Sequence, residues 1–319
     1  MFVSISQPKK KKNVIMHSIV RQNLSVRISI APVAARIVCG PLATQTASAA
    51  SDWKAVEQAL GRSGQLQGDG AYKFGLPRGD LKVTVDGGPV KPTLALGSWV
   101  ALSSPGQDAT LMGDLAMGED EVSPVMLALQ ENGLQITALR NHTLHETPRV
   151  MYMHIAGHGD AVKLADAVKK VIALRKTLAP AQPPSVPPAL EMDTAAVDQA
   201  LGQKGKVNGG MYQVGVSRTE KITEAGTSVP GSVGLATASN VQPTGGSKAA
   251  ITGDFVLLGS EVYPVIKALR QNGIQVTALH NHMLQEEPRL FFVHFWANDD
   301  AVKLAKGLRA ALDNTNSAK

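Results

Sequence analysis

Thr277-Ala278-Leu279-His280-Asn281-His282-Met283-Leu284-Gln285-Glu286-Glu287-Pro288-Arg289 is the stretch on which the reading of this chain turns. At a constant offset of 140 residues stands a second version, Thr137-Ala138-Leu139-Arg140-Asn141-His142-Thr143-Leu144-His145-Glu146-Thr147-Pro148-Arg149. Seven of the eight histidines (142, 145, 154, 158, 280, 282 and 294) lie in or just after these stretches. A repeat this long indicates duplication of a whole domain and not a solenoid.

Working outward, each stretch sits in the same order of elements. An amphipathic helix precedes it, over 121–130 and 261–271, closed by Asn132-Gly133 or Asn272-Gly273. Pro124 and Pro264 fall near the start of these helices, where a missing N–H costs little. Extended segments at 134–144 and 274–284 then lead through Pro148 or Pro288 to 150–156 and 290–297, spaced closely enough to form hairpins. A last helix closes each copy, over 160–174 and 300–312. Ahead of this unit each copy carries a short helix followed by β-rich sequence, with strands expected at 72–76, 81–85, 94–102 and 110–117, and at 211–216, 233–238 and 250–258. Strand–helix–strand–strand–helix is most of a split βαβ motif. The expected class is therefore α+β, with two tandem pseudo-equivalent domains, each a ferredoxin-like (split βαβ) unit with additional N-terminal strands. If the copies pack about a pseudo-two-fold, their sites are paired or shared at the interface.

The expected boundaries are a leader over 1–50, a first repeat over 51–178, a proline-rich linker over 179–192, a second repeat over 193–313 and a tail over 314–319. The leader holds seven of the 32 basic residues and no acidic one, which leaves 25 basic against 26 acidic residues in the remainder. The net charge of +6 is thus a property of the leader. With aromatics at 4%, the folded part shows neither the basic patch nor the stacking rings of a nucleic-acid binder. Basic residues, a mostly apolar run over 28–43 and Ala47-Ser48-Ala49 fit an export signal, which places the mature protein in the periplasm or outside the cell. A transit peptide and a lipid anchor at Cys39 are the alternatives. No stretch elsewhere is long and apolar enough for a membrane span. Cys39 is the sole cysteine and lies in the leader, so the remainder offers no disulfide, thiolate ligand or cysteine nucleophile.

The chemistry open to the repeats is that of imidazole and carboxylate. On a strand, positions two apart share a face, so His280 and His282 are expected to project together, with Asn281 opposite. His294 follows on the partner strand, Glu286 at the strand end, and Asp254 on a neighbouring strand. His280, His282, Glu286, His294 and Asp254 form a candidate set for zinc, copper, nickel or iron. The first copy offers a modified ligand site around His142, Glu146, Arg149 and His154, with Asn281 and Arg289 as further ligand contacts. Arg140 replaces His280 there, and arginine clamps anions and does not ligate metals. The opposing reading is that these histidines are hydrogen-bonded core residues and that Arg289 simply pairs with Glu286. No nucleophile elbow, phosphate loop or paired-histidine zinc helix is present in the sequence.

From T-A-L-H-N-H-M-L-Q-E-E-P-R-L-F-F-V-H-F-W-A-N-D-D-A-V-K-L-A (277–305), with Leu81-Lys82-Val83-Thr84-Val85-Asp86-Gly87 and Gly113-Asp114, the chain resembles the LppY/LpqO family of bacterial proteins. The resemblance implies an exported, sometimes lipid-anchored protein without an established activity, and assigns no catalytic residue. The sequence therefore leads to an exported binding protein for a metal ion or small polar ligand. A metal-assisted or acid–base hydrolase using the same residues, and a structural envelope module with no site, are the alternatives. Association into a homo-oligomer stays open.

Overall fold

The computed structural model describes residues 53–175 and 190–318. The expected leader with Cys39, and most of the proline-rich linker, lie outside the described residues.

The first repeat runs α1 (53–60), β1 (Gln65–Leu66), β2 (Tyr72–Gly75), β3 (Val83–Val85), β4 (Gly88–Val90), α2 (Pro92–Ala95), β5 (Trp99–Leu102) and β6 (Ala109–Gly118). It continues with α3 (Val122–Glu131), β7 (Gln135–Arg140), β8 (Glu146–Thr147), β9 (Val150–Gly159) and α4 (Ala161–Ile172). The second runs α5 (Thr194–Leu201), β10 (Lys206–Asn208), β11 (Met211–Ser217), β12 (Thr223–Glu224), β13 (Thr227–Ser228), β14 (Ala236–Gly245) and β15 (Lys248–Leu258). It closes with α6 (Gly259–Gln271), β16 (Gln275–His280), β17 (Glu286–Glu287), β18 (Leu290–Asp300) and α7 (Ala301–Leu312).

The main sheets are ordered β1-β2-β5-β6-β9-β7 and β10-β11-β14-β15-β18-β16. In each, a strand, a helix and a second strand enclose a third strand antiparallel to both, which is the split βαβ core. The flank that a ferredoxin-like fold gives to its last strand is taken by β5 or β14, which arrive from earlier in the chain. The chain is therefore α+β with two similar sheet-rich halves.

Alternation along the central strands decides the layers. Leu111, Leu115, Met117, Met153 and Ile155 pack under α1, α3 and α4, and Ile251, Phe255, Leu257, Val293 and Phe295 pack in the same way in the second half. The alternate residues point to the other face, as a period of two requires. There Ala101 and Met112 meet Val229, Val233, Leu235, Met283 and Phe292, while Val85, Val90 and Leu94 meet Met211, Ala250 and Trp296. The two sheets thus pack face to face, with helices outside.

Reciprocal contacts mark a pseudo-two-fold. Thr137 Oγ1 donates to His282 O at 2.6 Å and Thr277 Oγ1 to His142 O at 2.5 Å. Asn141 Nδ2 donates to Thr277 O at 3.2 Å and Asn281 Nδ2 to Thr137 O at 3.0 Å. Each half clamps the other through the same two residue types.

Four expected extended segments end elsewhere. Residues 94–102 divide into the turn of helix at Pro92–Ala95 and β5, because Pro92 starts a helical turn more readily than a strand. Residues 233–235 form a turn, with Val233 N bonded to Pro230 O, and the strand starts at Ala236. The segments 134–144 and 274–284 are extended only to Arg140 and His280. Asn141 and Asn281 then bond the carbonyls of Thr143 and Met283 two residues on, a local alternative to the ladder. His282 accordingly lies beyond the strand, and the same-face argument does not apply to it.

Candidate metal centre

Four residue positions of each half converge where the sheets face each other. In the second half Asp254 on β15 pairs in register with His294 on β18, and His280 ends β16 on the far side of β18. The His280 ring centroid lies 4.7 Å from that of His294 and 5.0 Å from that of His282. In the first half Asp114 pairs with His154, and Arg140 ends β7. The pseudo-two-fold exchanges Asp114 with Asp254, Arg140 with His280, His142 with His282 and His154 with His294.

The halves trade one histidine each. His154 of the first half stands 3.7 Å, ring to ring, from His282 of the second, and His294 stands 4.1 Å from His142. The sequence expectation put His154 with the first copy and His294 with the second. The structure gives two overlapping groups, each with ligand atoms within 4.8 Å of one another: His154, His280 and His282, which draws on both copies, and Asp254, His280 and His294, which keeps three residues of the expected set together.

Backbone carbonyls fix the proton on each ring. A carbonyl only accepts, so His154 Nδ1 donates to Gly113 O (3.1 Å), His294 Nδ1 to Gly253 O (2.8 Å) and His282 Nδ1 to Gly234 O (3.2 Å). Their Nε2 atoms then carry lone pairs, the arrangement that outer hydrogen bonds impose on metal-ligating imidazoles. Burial, and then the charge of Arg140, push His154 and His280 far below the ordinary histidine range, and His282 likewise. Burial takes His294 to about 3. All four are neutral near pH 7, which is the ligand form.

His294 Nε2 faces Arg140, but the other atoms of the cluster have no partner: His154 Nε2, both nitrogens of His280, His282 Nε2 and Asp254 Oδ1 are buried without a hydrogen-bond partner among the described residues. His282 Nε2 is 3.0 Å from Asp254 Oδ2, yet its proton is on the other nitrogen, so with the carboxyl ionised two acceptors face each other. Each unsatisfied buried polar group costs about 1–3 kcal/mol. A cation among them would satisfy the lone pairs of His154, His282 and one nitrogen of His280, together with Asp254.

The twin position already holds a cation. Arg140 Nη2 lies 3.0 Å from Asp114 Oδ2, 3.0 Å from His142 Nε2 and 3.4 Å from His294 Nε2. The guanidinium therefore occupies the place that corresponds to the orphaned cluster. Burial raises the Asp114 carboxyl, but Arg140 and the neighbouring histidines outweigh it and hold the group well below its usual range. For Asp254, burial wins and its pKa is raised. Burial takes His142, stacked 3.4 Å over Tyr152, down to about 4.

The remaining residues singled out from the sequence lie outside the cluster. Glu286 is buried, but its oxygens accept from Leu290 N at 3.1 Å and Arg289 Nη1 at 3.2 Å, and it belongs to none of the ligand groups. Glu146 accepts from Val150 N and the Thr143 hydroxyl in the matching loop. Both carboxylates brace the loops whose Thr147–Pro148 and Glu287–Pro288 bonds are cis. Arg149 is exposed beside Glu119, Arg289 is exposed beside Glu286, and Asn281 is part of the clamp between halves. His145 is exposed, and His158 is exposed beside Asp108.

A cavity of about 460 Å³ adjoins the cluster, lined by Asp254, His282, His154, Asp114, Trp99 and Lys73 among others. Sequence reasoning missed Gly113, Gly253, Gly234, Lys73 and Trp99. The glycines did carry a signal: a Cβ on Gly253 would stand 1.9 Å from Ala238 O, and one on Gly113 2.7 Å from Val100.

Fold and site together define a tandemly duplicated α+β protein with one unpartnered imidazole–carboxylate cluster between its halves. The chain belongs to the family described as Domain of Unknown Function (DUF1259), whose model matches residues 54–174 and 195–314. No curated protein matches it in sequence. Among solved structures it is similar to EtuB from Clostridium kluyveri, at 9% identity over 78% of this chain and 90% of that one, with a TM-score of 0.18. It is also similar to the trimeric bacterial microcompartment shell protein PduB, at 10% identity over 77% of this chain and 87% of that one, with a TM-score of 0.19. Likenesses of this size carry no argument. Among the described residues no helix is long and apolar enough to cross a membrane.

Proposed function

We propose that this protein is an exported binding protein that holds one divalent transition metal through His154, His280, His282 and Asp254. The observation that carries the reading is the set of buried acceptor atoms without partners, with His282 Nε2 and Asp254 Oδ2 face to face at 3.0 Å. Three imidazoles and a carboxylate suit zinc, and also copper, nickel and iron. Arg140 supports the reading from the other side, because the equivalent place is filled by a positive charge. Export, and the finer assignment to the LppY/LpqO group, rest on the leader and the motifs of the sequence.

The adjoining cavity favours a second reading, in which the metal acts on a bound molecule. A metal open on one side supplies Lewis-acid polarisation or an activated water. The protein's own contribution would be to fix the ligand rings through Gly113 and Gly234, and to shape the cavity. A purely structural role predicts buried histidines with both nitrogens hydrogen-bonded to protein and no cavity beside them; the unpartnered nitrogens of His154, His280 and His282 and the adjoining cavity count against it.

The test is metal content by plasma mass spectrometry after incubation with zinc and desalting. Wild type should hold about one ion per chain. His282→Ala and His154→Ala should each lose about 100-fold or more in affinity, beyond the ~10–100-fold typical of an outer-shell change. Glu286→Gln should keep the ion. Absence of metal from wild type, or its retention in both histidine variants, would sink the reading.

A further inference from the structure

The register makes a position-by-position comparison of the inner sheet faces possible. Trp99 pairs with Asp114, and Ala238 with Asp254, so Ala238 stands where the first half has Trp99. By the same register Asn240 replaces Ala101, Thr252 replaces Met112 and Gln213 replaces Lys73. At two of these positions the first half places large apolar side chains, Trp99 and Met112. The second substitutes small and polar ones, and the cavity lies over them.

Two cations line the same cavity. Lys73 is half-buried, with its ammonium 4.2 Å from the centre of the Trp99 ring, and Lys206 is exposed at the cavity wall. Neither is in a salt bridge among the described residues. Asp69, the acidic group that acts on Lys73, is held by Ser232 N at 2.8 Å and Ser232 Oγ at 2.6 Å. Burial, and then repulsion from Lys206, bring Lys73 down to about 8, with Asp69 opposing. Two cations held near each other and facing polar space are stabilised by an anion.

We propose that the cavity binds a small organic oxyanion, a carboxylate or a phosphate ester, with its charged group on Lys73 and Lys206. Its body lies over Ala238, Asn240 and Thr252 and reaches toward Asp254 and His282; this far end rests on the metal reading, whereas the lysine end does not. A cavity of about 460 Å³ is of the size that takes a small metabolite, within the ~300–1,000 Å³ usual for ligand sites. Trp99 contributes a flat wall, and Gly234 permits it, since a Cβ there would stand 2.8 Å from the indole.

The experiment is calorimetric titration of the full chain with malonate and with inorganic phosphate, before and after zinc loading, with zinc content measured on the same samples. At least one anion should bind wild type. Lys73→Gln, which installs the residue of the equivalent position, together with Lys206→Gln should weaken binding at least tenfold and leave the zinc content unchanged. Ala238→Trp should abolish binding, again with zinc unchanged; if it fails to fold, the lysine variants decide alone. Failure of both anions to bind wild type, or unchanged affinity in the lysine double variant, overturns the proposal. Lysine-dependent binding in a protein that holds no zinc upholds it, and removes only the metal reading.

Discussion

The two halves bring the same four positions to the same place and differ at one of them. In the first, Arg140 supplies its own cation to Asp114, His142 and the borrowed His294. In the second, His280 supplies no charge, and it, Asp254, His282 and the borrowed His154 are left with buried polar atoms that have no hydrogen-bond partner among the described residues. The adjacent space follows the same division: Trp99 and Met112 fill one side, and Ala238 and Thr252 open the other. Duplication has thus given one self-neutralised site and one without a cation, both bordering the same cavity, and each half contributes a ring to the other's.

The largest effect that could break this comparison is on stability. Arg140→Ala strands a buried Asp114 and should cost about 3–5 kcal/mol in urea denaturation. His280→Ala removes nitrogens that have no partners, and in metal-free protein should cost less than about 1 kcal/mol. Equal costs would mean that the two positions are not what we describe. Next come the glycines under the paired strands. Gly253→Ala meets a backbone oxygen and should cost about 3 kcal/mol, whereas Gly113→Ala meets the end of Val100 as well as backbone and should cost about 2 kcal/mol.

Arg140→His sharpens the comparison by making the halves alike. It should raise zinc stoichiometry from about one to about two per chain, and make thermal stability more dependent on zinc than in wild type, because the ion then supplies the charge that Asp114 has lost. Unchanged stoichiometry would contradict the equivalence of the two sites. The smallest effect concerns pH. Lys73 is charged below about 8 and neutral above it. Malonate affinity, in calorimetry, should therefore fall as pH rises through that value, and Lys73→Gln should flatten the dependence. A wild-type profile that is already flat would remove Lys73 from the anion subsite.

Much of the fold was legible because its signals are local. Asp193 caps α5 through Ala196 N, Gly202 ends it at a positive φ, and Asn272-Gly273 closes α6, as their residue types require. The duplication and the split βαβ order followed from spacing alone. The strand ends after Arg140 and His280 did not, because Asn141 and Asn281 turn their side chains to backbone carbonyls instead of continuing the ladder. The site was legible in composition and not in grouping. His280, His282, His294 and Asp254 stood out, and His294 does stay beside Asp254 and His280, but nothing in a linear pattern says that His154 crosses to join His280 and His282 or that His294 also faces Arg140. That exchange is a property of the packed interface. Glu286 shows the opposite error: a carboxylate beside histidines in sequence spends both oxygens on its own loop.

The central claim is that one metal sits between the halves, on ligands drawn from both. Anomalous diffraction at the zinc edge from crystals of the full chain soaked in zinc tests it most directly. The account requires one strong peak within bonding distance of His154 Nε2, His280, His282 Nε2 and Asp254, and none beside Arg140. A peak elsewhere, or none at that cluster at saturating zinc, would contradict it.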